Sequence, residues 1–425
     1  MIRRGEMDLI SVQLAYGHGQ FTVNVPKRHL LGVFNPKNLE EDFDEGDEIR
    51  RALENPIGTR RLRDLASNEE RIVIVTSDLT RPCPSARLLP FILRELELAA
   101  VPSENITIVL ALGLHRVMES EEIDSIVTPE IRRRYRVINH DLSDTVRIGF
   151  TQRGTPVEIF RPVIDADMRI CLGNLEYHYF AGYTGGAKAI FPGCSSRLAV
   201  TANHTMLVLP EAATGRNEGN PLRLDLEEAA TMVGVDFILN VIVDEEHRIV
   251  GAVAGDVIAA HRVGCSMVAS RGTVKIPKQA DIVIASAGGF PKDINFFQSH
   301  KVLENCKHFV KEGGVIILAA ECREGYGNPV FEEWMLAASS PDEILARFQK
   351  GFVLGGHKAA AMAKLQKRAK IYLVSEMLDE VVISSGMSPF EDPQLALSAA
   401  MDELSPGSEV IVLPQALSLI PEIAG

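Results

Sequence analysis

No two of the six cysteines stand as a CxxC pair, and no HExxH helix motif occurs. Zinc ribbons and iron–sulfur clusters need closely spaced thiols, and zinc proteases need that histidine pair, so neither class is indicated. There is no GxGxxG series, which leaves an ordinary nicotinamide-binding Rossmann site without support. GYTGGAKAI lacks the GxxxxGK[ST] spacing of a phosphate-binding P-loop, although a nest of backbone amides there could still bind phosphate. No stretch approaches the roughly 20 apolar residues of a membrane span. The opening MIRRGEMDLI has charge but no apolar run behind it, unlike a secretory signal. Basic charge is also short: 44 Lys and Arg face 57 Asp and Glu, a formal net charge of -13 that disfavours a general nucleic-acid surface. Scattered single cysteines fit a reduced compartment, so a cytoplasmic protein is expected.

What remains is a chain of 425 residues, 46% hydrophobic, too long for one comfortable core. Its repeating pattern is a short β-branched run, a polar turn and a helical stretch. RIVIVTSDLTRP, NITIVLALGLHR and ADMRICLGNLEYH each contain such a strand, near-continuously apolar, and helical segments alternate with them. Strands buried on both faces argue a largely parallel sheet. FILNVIVDEEHRIVGAVAGD differs, with two β-rich runs flanking a polar turn, and reads as a hairpin with His247 at the surface. A second α/β unit begins at ADIVIASAGGFPKD, with further strands in GGVIILAAEC, AKIYLVSEM and SEVIVLPQA. The fold expected is α/β, with two domains of largely parallel sheets: 1–272, and 273–425 after a linker in RGTVKIPKQ. The final LSLIPEIAG either ends the second domain or returns to the first.

In open α/β sheets ligands bind beyond the carboxyl ends of strands. Four polar clusters occupy such positions. SDLTRPCP places Asp78 and Arg81 after a strand; capping is the bland role, and carboxylate binding by the Arg81 fork is the functional one. LGLHR places His115 after the next strand, with a titration range suited to acid–base work. YHYFAGYTGGAKAIFPG sets His178, Gly182, Gly185, Gly186 and Lys188 in one block, followed by His204 in TANHTM. Glycines there allow positive φ or close backbone approach. FPKDINFFQSHKVLENC carries Lys292, Asp293, Gln298, His300 and Lys301, with Phe296 and Phe297 suggesting a pocket rim. Spacing alone supports a histidine-rich pocket and leaves its chemistry open.

The ordered set SDLTRP, GLHR, YHYFAGYTGGAKAIFPG, NH at 203–204 and the DIN..Q..K segment resembles the nickel-dependent lactate racemase family of 2-hydroxyacid racemases and epimerases. The resemblance covers nearly the whole chain. It implies an active site in the interdomain cleft and a covalent cofactor, nickel–pyridinium-3,5-bisthiocarboxylic acid mononucleotide, tethered to Lys188. It implies His204 as the protein ligand to nickel, and His115 and His178 as general acid/base residues on opposite sides of the substrate. It further implies Arg81 and Lys301 as substrate-carboxylate contacts. Asp78, Gly185, Gly186 and Gln298 become cofactor-organising residues, Asp78 near the ribose. The partners implied are a small 2-hydroxyacid and the proteins that make the cofactor and insert nickel, with neither nucleic acid nor membrane. Phe297 departs from the family's tyrosine, and His357 and Lys358 stand where a tryptophan lines the pocket, which loosens the expectation of lactate as substrate. A non-catalytic binder of an organic acid or nucleotide phosphate is the competing class, and a zinc hydrolase, which needs three convergent ligands, a weaker one.

Overall fold

The structure is a computed structural model that describes residues 8–37, 44–244 and 246–424; the first seven residues of MIRRGEMDLI, and Glu245 in the DEEHR turn, lie outside them. The chain forms two compact units, one of residues 38–270 and the other of residues 1–37 with 271–425.

The first unit is built on a six-stranded sheet in the order Ile249–Gly255, Phe237–Val243, Met168–Asn174, Ile72–Ser77, Ile106–Ala111, Arg136–Asn139. Its strands are parallel except for the expected hairpin, in which Ile238 lies opposite Gly255 in antiparallel register. The central strand shows why the sequence reads as one continuous apolar run. Ile72 and Ile74 point into one apolar layer, Val73 and Val75 into the other. Because side chains alternate across a strand, a central strand covered on both faces must be apolar at every position. Each such side chain contributes roughly 1.5–3 kcal/mol by leaving water.

The second unit holds another six-stranded sheet, all parallel, in the order Ser388–Phe390, Lys370–Val374, Val310–Ala319, Ala280–Ser286, Val410–Leu413, Leu30–Val33. Here the expected boundaries change. Residues 1–37, expected within a domain 1–272, belong to this second unit, because Leu30–Val33 supplies its edge strand beside Val410–Leu413. A four-residue strand carries no mark of its pairing partner, which is chosen by a sheet hundreds of residues away. The stretch expected as linker contains the strand Thr273–Ile276, paired in parallel with Ile420–Ile423, so the final segment also closes within the second unit. All six cysteines are buried and unpaired, His247 is exposed, and no helix among the described residues is long and apolar enough to cross a membrane.

His140 follows the edge strand Arg136–Asn139, is 2% exposed, and packs edge-on against Phe160 with ring centroids 5.5 Å apart. Among the described residues neither of its ring nitrogens has a hydrogen-bond partner. Burial pushes its pKa down to about 4, so the native ring stays neutral while an unfolded chain would bind a proton below the ordinary value of 6.5. Between those limits the unfolded state holds the extra proton, and stability therefore falls as pH falls, by up to about 1.4 kcal/mol per pH unit. His140→Phe is expected to remove that contribution. Denaturant melts of both proteins from pH 7 to pH 4.5 should show the smaller pH slope in the variant.

Candidate active site

Three adjacent strands of the first sheet, Met168–Asn174, Ile72–Ser77 and Ile106–Ala111, run parallel, so the segments after them emerge at one edge. Those segments carry His178, Asp78 and His115. The strand order thus gathers three residues that are separated by 37 and 63 positions in the chain.

Asp78 is almost fully buried, and its Oδ2 lies 2.5 Å from His115 Nδ1. Its Oδ1 accepts from the Thr80 hydroxyl at 2.6 Å and the Thr80 backbone N–H at 3.0 Å. Burial alone would push this carboxyl up, but the bonds from His115 and Thr80 and the charge of Arg81 outweigh it and hold it below the usual range. Asp78 is therefore an acceptor at neutral pH, and His115 must present its proton on Nδ1. In the neutral form of this exposed ring, Nε2 is then the nitrogen that carries the lone pair. Asp78, expected near a cofactor ribose, is in this structure the partner that orients His115. Arg81 is exposed, with its backbone N–H on the Asp78 carbonyl at 3.3 Å.

The block after Asn174 folds into a short antiparallel pair, Tyr177–His178 with Gly182–Tyr183, then a turn of 3-10 helix at Gly186–Ala189 that carries Lys188. Gly185 and Gly186 both have positive φ, +72° and +57°. A Cβ at Gly185 would lie 2.6 Å from Asn240 Oδ1, and one at Gly186 would lie 2.7 Å from the His261 ring. The glycines let the loop press onto side chains of its own unit: Gly186 N–H donates to Asn240 Oδ1 at 2.7 Å, and His261 Nε2 meets the Thr184 carbonyl at 2.9 Å. From below, the helix Pro221–Val233 grips the same loop through fully buried Arg223, whose guanidinium donates to the carbonyls of Ala181 and Tyr183.

Phe180 is the hub of the block. Its ring lies 4.4 Å from that of His178, 5.1 Å from that of His204 and 5.9 Å from Lys188 Nζ. His204 ends the helix Arg197–His204, which is pinned by the preceding Asn203, whose amide donates to buried Asp225 at 2.9 Å. Desolvation, then the charge of Lys188, pushes the His204 pKa down to about 3. The imidazole is therefore neutral, the form that binds metals.

Eight of the ten site residues expected from the sequence lie in this unit. Gln298 and Lys301 lie in the other, on the helix Phe296–Cys306, whose cap Asn295 accepts from the Gln298 backbone N–H at 3.1 Å. Lys358 is buried there, its Nζ donating to the Phe297 carbonyl and standing 3.8 Å over the Phe297 ring. His357 Nδ1 accepts from the Gly355 N–H at 3.1 Å. Sequence reasoning missed Phe180, Asn240, His261 and Arg223. Phe180 was within reach as one of the two aromatics, with Tyr179, between His178 and Gly182. Arg223 was not, since PLRLDLEE has the composition of a solvated helix face.

Residues 16–215 match the model of the lactate racemase N-terminal domain, and residues 275–421 that of the lactate racemase C-terminal domain. The chain belongs to the lactate racemase family. It is 35% identical to the lactate racemase of Thermoanaerobacterium thermosaccharolyticum over 424 residues, 97% of this chain and 99% of that one. Its identity to the lactate racemase of Lactiplantibacillus plantarum is 30%, over 97% of this chain and all of the relative. The solved structure of the T. thermosaccharolyticum lactate racemase apoprotein superposes with a TM-score of 0.91, covering 97% of this chain and 100% of that one. Family membership supports an isomerase acting on a 2-hydroxyacid.

Proposed function

We propose that this protein racemises or epimerises a 2-hydroxyacid through the planar 2-oxoacid, using the nickel–pyridinium-3,5-bisthiocarboxylic acid mononucleotide bound covalently to Lys188. The observation that carries the reading is the convergence of His178, His204 and Lys188 on the Phe180 ring. The donor set fits such a group. Among the described residues no three His, Cys, Asp or Glu side chains stand together as a metal cage. One neutral histidine beside a lysine amine suits a metal whose other ligands arrive with a tethered cofactor. The same observation gives a zinc hydrolase, with its three protein ligands, nothing to build on.

When bound, the cofactor supplies a reversible acceptor for the hydride of the substrate C–H bond. The chain's own residues do the rest. His115, with its proton on Nδ1 facing Asp78, offers Nε2 to the substrate hydroxyl proton. His178 follows Met168–Asn174, on the other side of Ile72–Ser77 from the strand that leads to His115, and the resemblance gives it the matching acid/base task on the opposite side of the substrate. Arg81 is suited to hold the substrate carboxylate by paired hydrogen bonds, and the resemblance gives Lys301 the same task. Lys358 and His357 already have partners within their own unit, which favours packing over recognition of a second substrate carboxylate. A 2-hydroxyacid is therefore the substrate class, without commitment to lactate. Six unpaired cysteines fit a reduced, cytoplasmic setting, where cofactor-synthesis and nickel-insertion proteins would be the partners.

The test is a panel of single-enantiomer acids: lactate, malate, longer aliphatic, aromatic and sugar acids. Cofactor-loaded protein is expected to invert at least one without added nicotinamide cofactor. Stoichiometric binding with no inversion across the panel, by protein whose loading is verified by mass, would establish a binding protein instead.

A further inference from the structure

We propose that His261 is a positioning residue for the tether: through the Thr184 carbonyl it fixes the turn that presents the Lys188 amine, and so governs how fast that amine acquires the cofactor. This rests on the racemase reading, and His261 takes no part in bond formation or in turnover.

Every carbonyl from Phe180 to Thr184 accepts a hydrogen bond from outside that stretch. Asn220 Nδ2 reaches Phe180 at 2.9 Å, Arg223 serves Ala181 and Tyr183, and the Gly215 N–H meets Gly182 at 2.9 Å. The last carbonyl, on Thr184, accepts from His261 Nε2 at 2.9 Å. It stands four residues before Lys188, directly before Gly185 and Gly186, whose φ angles are +72° and +57°. Glycine moves readily among several backbone conformations, so this is where the chain most needs an external hold. His261 on the Thr184 carbonyl and Asn240 on the Gly186 N–H supply it, pinning the peptide groups on both sides of Gly185.

His261 is itself held. It lies on the helix Ala259–Gly272 and is 1% exposed. A carbonyl can only accept, so Nε2 carries the proton and the neutral ring keeps its lone pair on Nδ1. Arg262 Nη1 donates to that lone pair at 3.1 Å, and Glu227 grips the guanidinium with two bonds of 2.7 Å. The Cys265 thiol, 3.5 Å from Nε2 and 3.6 Å from Nδ1, is a weaker neighbour. Burial, then the charges of Arg223, Arg262 and Lys188, push the imidazole well below its ordinary range and keep it neutral. The same ring is the floor under Gly186, where a Cβ would come within 2.7 Å of it.

The effect belongs to loading because an unattached amine must be held where the cofactor arrives, and a displacement of about 1 Å can cost roughly 100-fold in rate. Once the bond exists, the bond itself keeps the two together. Glutamine can replace the Nε2–H on the Thr184 carbonyl, whereas leucine fills the space and cannot donate. Full-length proteins are made in cells that produce the nickel–pyridinium-3,5-bisthiocarboxylic acid mononucleotide, and the Lys188 adduct is followed by intact mass with time. His261→Gln is expected to load within about threefold of wild type and His261→Leu about 100-fold more slowly, with kcat per adduct within about fivefold in both. Val233→Ala, a cavity at the far end of Pro221–Val233 in the same core, is the stability control and is expected to load like wild type. In apoprotein labelled with 15N-histidine, His261 is expected as a single Nε2–H tautomer, its signals assigned by their loss in His261→Gln. Wild-type loading by His261→Leu, loading of His261→Gln as slow as that expected for leucine, or a wild-type ring protonated on Nδ1 overturns the proposal. The glutamine variant and the nitrogen spectrum decide it even where His261→Leu does not fold. A wild-type chain that acquires no adduct on Lys188 overturns the racemase reading instead, and the spectrum still decides whether His261 donates to Thr184.

Discussion

Lys188→Arg is expected to abolish both the covalent adduct and turnover. Lys188 sits in a single turn of 3-10 helix, its Nζ 5.9 Å from the centroid of Phe180. Arginine could keep the charge and the contact with the ring face, so a lysine needed only for electrostatics would tolerate the exchange. A tether would not, because guanidinium lacks the primary amine that must form the bond to the cofactor. Intact mass of the loaded protein should show the adduct, and peptide mapping should place it on Lys188. His204→Ala makes the complementary case: the adduct should persist while nickel is lost, since His204 is proposed to ligate the metal and not to anchor the organic part. Full activity with an unmodified Lys188 would remove the tether from the account.

The second large effect is expected at the Asp78–His115 pair. His115→Ala deletes the proposed base and should lower kcat roughly 100- to 10,000-fold, the range for a positioned acid–base group. Asp78→Asn tests orientation instead. Its amide can turn an N–H toward Nδ1, driving the imidazole to the tautomer with Nε2 protonated and unable to accept, while leaving the packing nearly unchanged. A loss of similar order is expected, with the Lys188 adduct retained. Because Asp78 also accepts from Thr80, Thr80→Val is a useful comparison: it removes one bond to the carboxylate and a longer, 3.4 Å contact of the hydroxyl with His115 Nδ1, while leaving the Asp78–His115 bond in place. Activity of Asp78→Asn close to wild type at equal loading would show that the carboxylate does not set the tautomer.

The alternation of apolar strands with helices, the hairpin at 237–256 and the order of the polar clusters were all legible in the sequence, and each survives in the structure. They are local properties. A strand buried on both faces needs apolar side chains at every position, and glycine is favoured where the backbone takes positive φ, whatever the rest of the chain does. The family motifs were legible for a related reason: they are short segments whose residue types are themselves the chemistry.

Three matters were decided by tertiary structure alone. The unit to which residues 1–37 belong depends on Leu30–Val33 pairing with Val410–Leu413, an edge contact between segments nearly 380 residues apart that neither segment encodes by itself. The role of Asp78 emerged only when strand order set it 2.5 Å from His115, turning a plausible cap into the group that fixes an imidazole tautomer. The helix Pro221–Val233 carries none of the four polar clusters read from the sequence. It is the buried platform whose Asn220 and Arg223 hold the carbonyls of Phe180, Ala181 and Tyr183. Sequence determines which residues can carry charge, turn the chain or enter a core. Which buried donor meets which carbonyl is settled by packing, because a polar group can leave water only where some distant part of the chain supplies its partner.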